Sequence, residues 1–203
     1  MLINIRCRGI TPLLFNRMDE NTLETIRTKI KKPKAANVGT TRTPREEAQT
    51  KVYMHGDLCI LPGDMLMACL IAAGVFVRLD AKRQISTAKA TVLPGLMTLL
   101  DFVMPLYVPN TEKPATWEAD VKQGRNPNGG EAVAICRPRF DAWSFGARIL
   151  IDDHEIGENT IRELWDKAGR RCGLGDFRPN RKGVYGQYVI QCWEKQKEEE
   201  LAA

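Results

Sequence analysis

Histidine is nearly absent from this chain: His55 and His154 are the only two in 203 residues. The six cysteines (Cys7, Cys59, Cys69, Cys136, Cys172 and Cys192) form no CxxC pair, and none stands at metal-ligand spacing from a histidine. They sit among apolar neighbours and read as reduced, buried thiols, which places the chain in a reducing cytoplasm. Asp152 and Asp153 match no metal-loop spacing, so no metal and no cofactor is expected. No GxxxxGK[ST] phosphate loop occurs, and no Ser/His/Asp or Cys/His arrangement follows from spacing. Long apolar runs are missing too. "MLMACLIAAGVFV" (65–77) is the most apolar stretch, far short of the ~20 residues a membrane span needs, and reads as a core helix. Arg6 and Arg8 interrupt any leader-like run at the N-terminus. These absences exclude a membrane protein and most cofactor enzymes, and they leave a globular domain that works through its surface.

What is present is ordinary globular material, 43% hydrophobic and 27% charged, with a net charge of only +5. Local clustering of charge therefore matters more than the total. "LINIRCRGI" alternates at period two and predicts a half-buried strand. "VYMHGDLCILPG" predicts a hairpin turning at His55-Gly56-Asp57, followed by the 65–77 helix. "LMTLLDFVMPLYVP" reads as strand, with Pro105 at an edge or bulge. "FDAWSFGARILID" (140–152) predicts a strand on which Trp143 and Phe145 share a core face. "GENTIRELWDKAGRRCG" (157–173) predicts a helix capped by Asn159 or Glu158, with Ile161, Leu164, Trp165 and Ala168 as its apolar stripe. "YGQYVIQCWE" is a final strand, and 194–203 a solvated tail.

The order strand, helix, strands, strand, helix, strand fits an α+β fold: a ferredoxin-like βαββαβ antiparallel sheet with both helices on one face. The whole chain, 1–203, then makes one domain with two excursions. The first is a basic loop over 27–51, with eight basic residues against two acidic ones, ending in a short helix "TPREEAQ" capped by Thr43. The second is a turn-rich, hairpin-like insertion over 110–139, turning at "NPNGG".

The densest functional signal is "GRRCGLGDFRPNRKGVYGQY" (169–188), with five basic side chains, five glycines and three aromatics in twenty positions. Arg170, Arg171, Arg178, Arg181 and Lys182 supply donors that pair with phosphate. Phe177 and Tyr185 supply flat faces on which bases stack. A basic track with interleaved aromatics is what gripping a single strand requires. The bland alternative is a helix cap followed by core aromatics. The stretch leads from a helix into a strand, the reverse of a dinucleotide fingerprint.

In that position, Gly173, Gly175, Arg178, Gly183, Tyr185 and Gly186 stand in an order that resembles the glycine-rich loop of the repeat-associated mysterious proteins, the RAMP superfamily of CRISPR RNA-binding subunits. Leu61, Pro62, Gly63 and Asp64 resemble the family's strand-to-helix step. The two stretches cover residues 58–73 and 173–190. The chain departs from the pattern at Ile71 and Ala72, where many members carry a basic residue, and at Asp176 and Pro179.

The resemblance implies a subunit lying along a single strand beside copies of itself, and the reading that follows is a non-enzymatic binder of single-stranded nucleic acid, RNA ahead of DNA, that assembles with itself and other subunits. It also implies that the 110–139 hairpin acts as a thumb carrying Arg125, Arg137 and Arg139, and that the basic loop wraps the strand through Lys29, Lys31, Lys32 and Lys34. Some relatives cleave RNA with a histidine general base, which makes His55 the candidate for a rival reading as a metal-independent endoribonuclease. The other rival is a protein-binding or virion-type subunit whose basic loops meet an acidic partner.

Overall fold

The computed structural model describes residues 1–18, 20–28, 42–125 and 132–196, without the side chains of Asn21 and Arg125. In chain order the elements are β1 (Leu2–Gly9), β2 (Leu13–Leu14), α1 (Glu20–Thr28), α2 (Pro44–Gln49), β3 (Met54–His55), β4 (Leu58–Pro62) and α3 (Gly63–Ala73). They continue with α4 (Leu93–Leu96), β5 (Met97–Leu99), β6 (Val103–Pro105), β7 (Glu118–Arg125), β8 (Ala132–Phe140), β9 (Ser144–Ile151), α5 (Glu158–Lys167) and β10 (Tyr188–Gln196).

Period-two alternation in β1 buries Ile3, Ile5 and Cys7 and turns Asn4, Arg6 and Arg8 outward. β1 therefore becomes the centre of a four-stranded sheet in the order β10-β1-β9-β5, antiparallel throughout. With α3 between β1 and β5 and α5 between β9 and β10, this is the ferredoxin-like α+β fold. Both helices lie against the Ile3–Ile5–Cys7 face. Leu66, Leu70, Ile161, Leu164 and Trp165 are buried with Phe145, Ala147 and Ile149 in one apolar cluster. Each such side chain stabilises the fold by ~1.5–3 kcal/mol. Truncating Leu70, at 0% exposure, is worth ~2–5 kcal/mol with its cavity.

Two smaller three-stranded sheets flank this core, β2-β8-β7 and β3-β4-β6. β7 and β8 form the hairpin expected within 110–139, paired from Glu118↔Arg139 to Arg125↔Ala132. The β3–β4 hairpin turns at Gly56-Asp57, as its sequence indicates. α2 starts with a full capping box between Thr43 and Glu46, also as expected.

Several boundaries differ from the sequence reading. The 97–105 stretch is two strands, because the chain turns away from β9 after Asp101 and β6 pairs with β4 instead. Pro105 sits on the outer strand of that small sheet, where its missing N–H does no harm. The 140–152 strand is divided as well: Phe140 ends β8, and Trp143 precedes β9. All three aromatics of that segment are nonetheless core. α3 runs Gly63–Ala73 with a 3₁₀ turn after it, starting before residue 65. α5 is capped at Gly157 with no side-chain bond, and Glu158 accepts from Trp193 Nε1 instead (2.9 Å). Glu194, Lys195 and Gln196, read as the start of the tail, are the end of β10 and pair with Asn4, Ile3 and Leu2.

Candidate nucleic-acid interface

α5 ends in a π-helical turn, Ala168–Cys172, and the glycine-rich loop runs from there to β10. Its glycines are positions of close backbone approach rather than a vacant cradle. Gly175 has φ +71°, and a Cβ there would stand 2.2 Å from the Leu14 carbonyl oxygen. Gly186, also at φ +71°, would meet the Leu174 oxygen at 1.9 Å. These contacts exist because the loop is laced to itself and to the segment after β1. Leu174 N–H donates to Gly186 O (2.9 Å), Gly186 N–H to Pro12 O (2.8 Å) and Asp176 N–H to Leu14 O (2.8 Å). A second tier is formed by Tyr185 N–H to Phe177 O and Gly183 N–H to Arg178 O, both 3.0 Å. The loop is thus a tightly laced shelf from which side chains project.

Those side chains divide into engaged and free. Arg170 Nε donates to Asp166 Oδ1 (2.8 Å), and Arg171 lies 5.1 Å from the Phe76 ring centre. Arg178 Nη1 donates to the Gly175 carbonyl (2.6 Å) and thereby braces the loop. Arg181 and Lys182 are exposed with no ion-pair partner among the described residues. Lys182 holds a left-handed φ of +62°, which turns the chain back toward Gly183. Phe177, also left-handed at φ +51°, is 49% exposed and so is not the core plug of the bland alternative.

The β7–β8 hairpin meets the loop through one face. Cross-strand register places Glu118, Asp120 and Lys122 opposite Arg139, Arg137 and Ile135. The Arg137 guanidinium lies 4.8 Å from the Phe177 ring centre, and its Nε is 3.0 Å from Asp176 Oδ2. Lys122 Nζ lies 4.4 Å from the Tyr185 ring centre, bonds the Tyr185 hydroxyl, and is 3.4 Å from Asp120 Oδ2. The hydrogen bond to Tyr185, with help from Asp120, pushes the Lys122 ammonium above its ordinary pKa. Loop and hairpin therefore form one surface, in which each loop aromatic rests on a hairpin cation.

This arrangement corrects two expectations. Arg137 is buried and ion-paired, so it supports Phe177 instead of reaching for phosphate. Arg139 is held by Asp141 through two bonds (2.9 and 3.1 Å) and lies 3.4 Å from Asp120, so its charge is met internally. Lys29, Lys31, Lys32 and Lys34 lie outside the described residues, as does the side chain of Arg125.

Sequence reasoning missed Lys122, Asp120 and the pairing of Asp176 with Arg137. The polar alternation of "EADVKQGR" is the signal that would have placed Glu118, Asp120 and Lys122 on one strand face. Arg45 over the Trp117 ring (5.2 Å) also went unread, and it seats α2 at the foot of the hairpin.

His55 is exposed at the end of β3, with no side-chain hydrogen-bond partner among the described residues. His154 is exposed as well, and its backbone N–H donates to Asp152 Oδ1 (3.2 Å). No group of three His, Cys, Asp or Glu side chains able to hold a metal occurs among the described residues. None of the helices there is long and apolar enough to cross a membrane. All six cysteines are free. Cys192 alone is part-exposed, and the rest are buried. Burial pushes the Cys7 and Cys69 thiols well up, so neither is a nucleophile.

Fold and site together define a ferredoxin-like α+β domain with a rigid glycine loop and a hairpin sharing one cation- and aromatic-bearing surface. Among solved structures, the chain is similar to a chain in the cryo-EM structure of the Type III-B Cmr-beta bound to cognate target RNA. The match has a TM-score of 0.51 at 10% identity, and covers 95% of this chain and 59% of that one. No family model matches the sequence, and no curated protein does.

Proposed function

We propose that this chain is a single-stranded RNA-binding subunit of RAMP type that acts by binding rather than by cleavage, alongside copies of itself or other subunits. The observation that carries the reading is Phe177: a half-exposed aromatic at positive φ, held on a buried Arg137, with the free cations Arg181 and Lys182 following it in the same loop. A ring fixed this way is a stacking platform, worth ~1–3 kcal/mol per base, and every base has a face to offer it. Arg181 and Lys182 supply the phosphate contacts. The β7–β8 hairpin forms the adjoining wall, in the role of a thumb. The Cmr-beta neighbour, itself bound to target RNA, supports an RNA partner and a multi-subunit setting. At the level of geometry, binding is favoured over histidine chemistry because the exposed His55 side chain has no base-orienting partner among the described residues.

The test is photo-cross-linking of 4-thiouridine-bearing single-stranded RNA, with single-stranded DNA and duplex RNA as competitors. Adducts at Phe177 or Tyr185, competed best by single-stranded RNA, are expected. Adducts confined to other faces, or binding that prefers duplex, would overturn the assignment.

A further inference from the structure

The sheet has a second face, which no helix covers among the described residues. Alternation in β1 directs Asn4, Arg6 and Arg8 away from α3 and α5, and in β9 it does the same for Gly146 and Arg148. Arg6 stands directly across from Gly146 in the β1–β9 register. Arg148 is clamped by Asp101 (2.7 Å). Arg6 and Arg8 are exposed and have no carboxylate partner among the described residues.

Around Arg6 the surface is concave. A cavity of about 850 Å³ is lined by Arg6, Tyr107, Asn110, Thr111, Ser144 and Gly146. Its floor is open because Gly146 has no side chain: a Cβ there would find only the Ile5 carbonyl oxygen, at 3.8 Å. Its wall is fixed in advance. Tyr107 and Ser144 exchange backbone bonds of 3.0 and 2.8 Å, and Ser144 Oγ donates to Tyr107 O. The 108–113 turn closes on itself through Val108 N–H to Lys113 O (2.8 Å), and Gln191 Nε2 donates to Asn110 Oδ1, tying the rim to β10.

We propose that this cavity is a second binding site, for one nucleotide unit, with the phosphate on Arg6 and the base against Tyr107. The volume suits such a ligand, since small-molecule pockets span ~300–1,000 Å³. The guanidinium fork matches a phosphate bidentately. The tyrosine offers a ring face, while Asn110, whose Oδ1 is taken by Gln191, offers its Nδ2 to a base edge or ribose. Glu112 is also on the wall, where its carboxylate disfavours added negative charge. The source is either a free mononucleotide or one nucleotide of a longer strand, and the chemistry is shared. This site lies on the open sheet face and does not depend on the glycine-loop reading.

Calorimetric titration with adenosine monophosphate tests it, with adenosine, adenosine triphosphate and inorganic phosphate as comparison arms. One monophosphate per chain is expected, bound more tightly than any comparison ligand. Arg6→Ala should weaken it at least tenfold. Gly146→Leu fills the cavity instead of removing charge, and should abolish binding in a protein that still melts cooperatively. Lys182→Glu should leave it unchanged while impairing single-stranded RNA binding. Competition of a short single-stranded oligonucleotide for the monophosphate site identifies a strand nucleotide as the source, and lack of competition identifies a free one. Absence of monophosphate binding to the wild type, or binding indifferent to both Arg6→Ala and Gly146→Leu, overturns the proposal whatever the loop does with RNA.

Discussion

Arg137, on the hairpin, and Asp176, on the glycine loop, are joined by a 3.0 Å ion pair although 39 positions separate them in sequence, and the same guanidinium underlies the Phe177 ring. This pair fastens the hairpin to the loop. Replacing Arg137 by Met keeps the bulk and strands the Asp176 carboxylate, and is expected to cost about 1–3 kcal/mol in urea denaturation. Asp176→Asn in the same background should recover part of that loss. The coupling from the double-mutant cycle should reach at least ~0.5 kcal/mol, and strict additivity would show that the two residues do not act together.

Stability and binding should separate at Phe177. Its φ of +51° is a conformation that favours glycine. Phe177→Gly relieves that strain while losing a cation–π contact of similar size, so thermal stability is expected to change by less than ~1 kcal/mol. Single-stranded RNA affinity should nonetheless fall by about tenfold, from lost stacking. Fluorescence anisotropy beside a melting curve reads both quantities.

Charge reversal at Arg181 and Lys182 should show in the salt dependence rather than in the fold. Each phosphate contact on a single strand contributes ~0.7 to the slope of log affinity against log salt. Arg181→Glu and Lys182→Glu together are expected to flatten that slope by more than one unit, with an unchanged melting temperature. An unaltered slope would mean that these cations do not meet phosphate.

Two glycines at similar φ should behave differently. Gly56, at +57°, has nothing within 4 Å of an added Cβ, whereas Gly175, at +71°, has the Leu14 oxygen at 2.2 Å. Gly56→Ala should cost only the backbone preference, about 1 kcal/mol. Gly175→Ala must also displace backbone, so its cost should exceed that of Gly56→Ala by about 2 kcal/mol or more in chemical denaturation.

Acid should weaken the link between Asp101 and β9. Hydrogen bonds from Arg148 hold the Asp101 carboxyl below its ordinary pKa. The folded value thus lies under the unfolded one, ~3.9, and the stabilisation is complete above that pH. It is lost as pH falls through the lower folded value. Asp101→Asn should therefore lower stability at pH 7 and shrink the difference from wild type as pH drops below ~4.

The main sheet was legible because its strands announce themselves by short-range pattern. β1 alternates cleanly, β9 alternates from Ser144 on, and α5 carries an apolar stripe ending at Ala168. The site was half legible. Composition identified the loop and its cations, because Arg, Gly and aromatic residues cluster there in sequence. It could not say that Arg137 and Arg139 are answered by Asp176, Asp120 and Asp141, since those partnerships depend on hairpin register and on loop docking. Nor could it show that Lys122 meets Tyr185, 63 positions away. The broken 97–105 stretch failed for a related reason: Gly63, far away in sequence, draws the Phe102 backbone aside through a 2.8 Å bond.

The glycine shelf hangs on Pro12 and Leu14, and β1 has β10 along one whole edge. Those partners lie far apart in sequence, so the earlier member of each pair is synthesised well before the later one. Until the segment 174–196 has been made, β1 keeps one flank bare and the pegs at Pro12 and Leu14 have no shelf to hold. Contacts this distant in sequence also close slowly. The proposed binding surface is therefore completed late and as a unit.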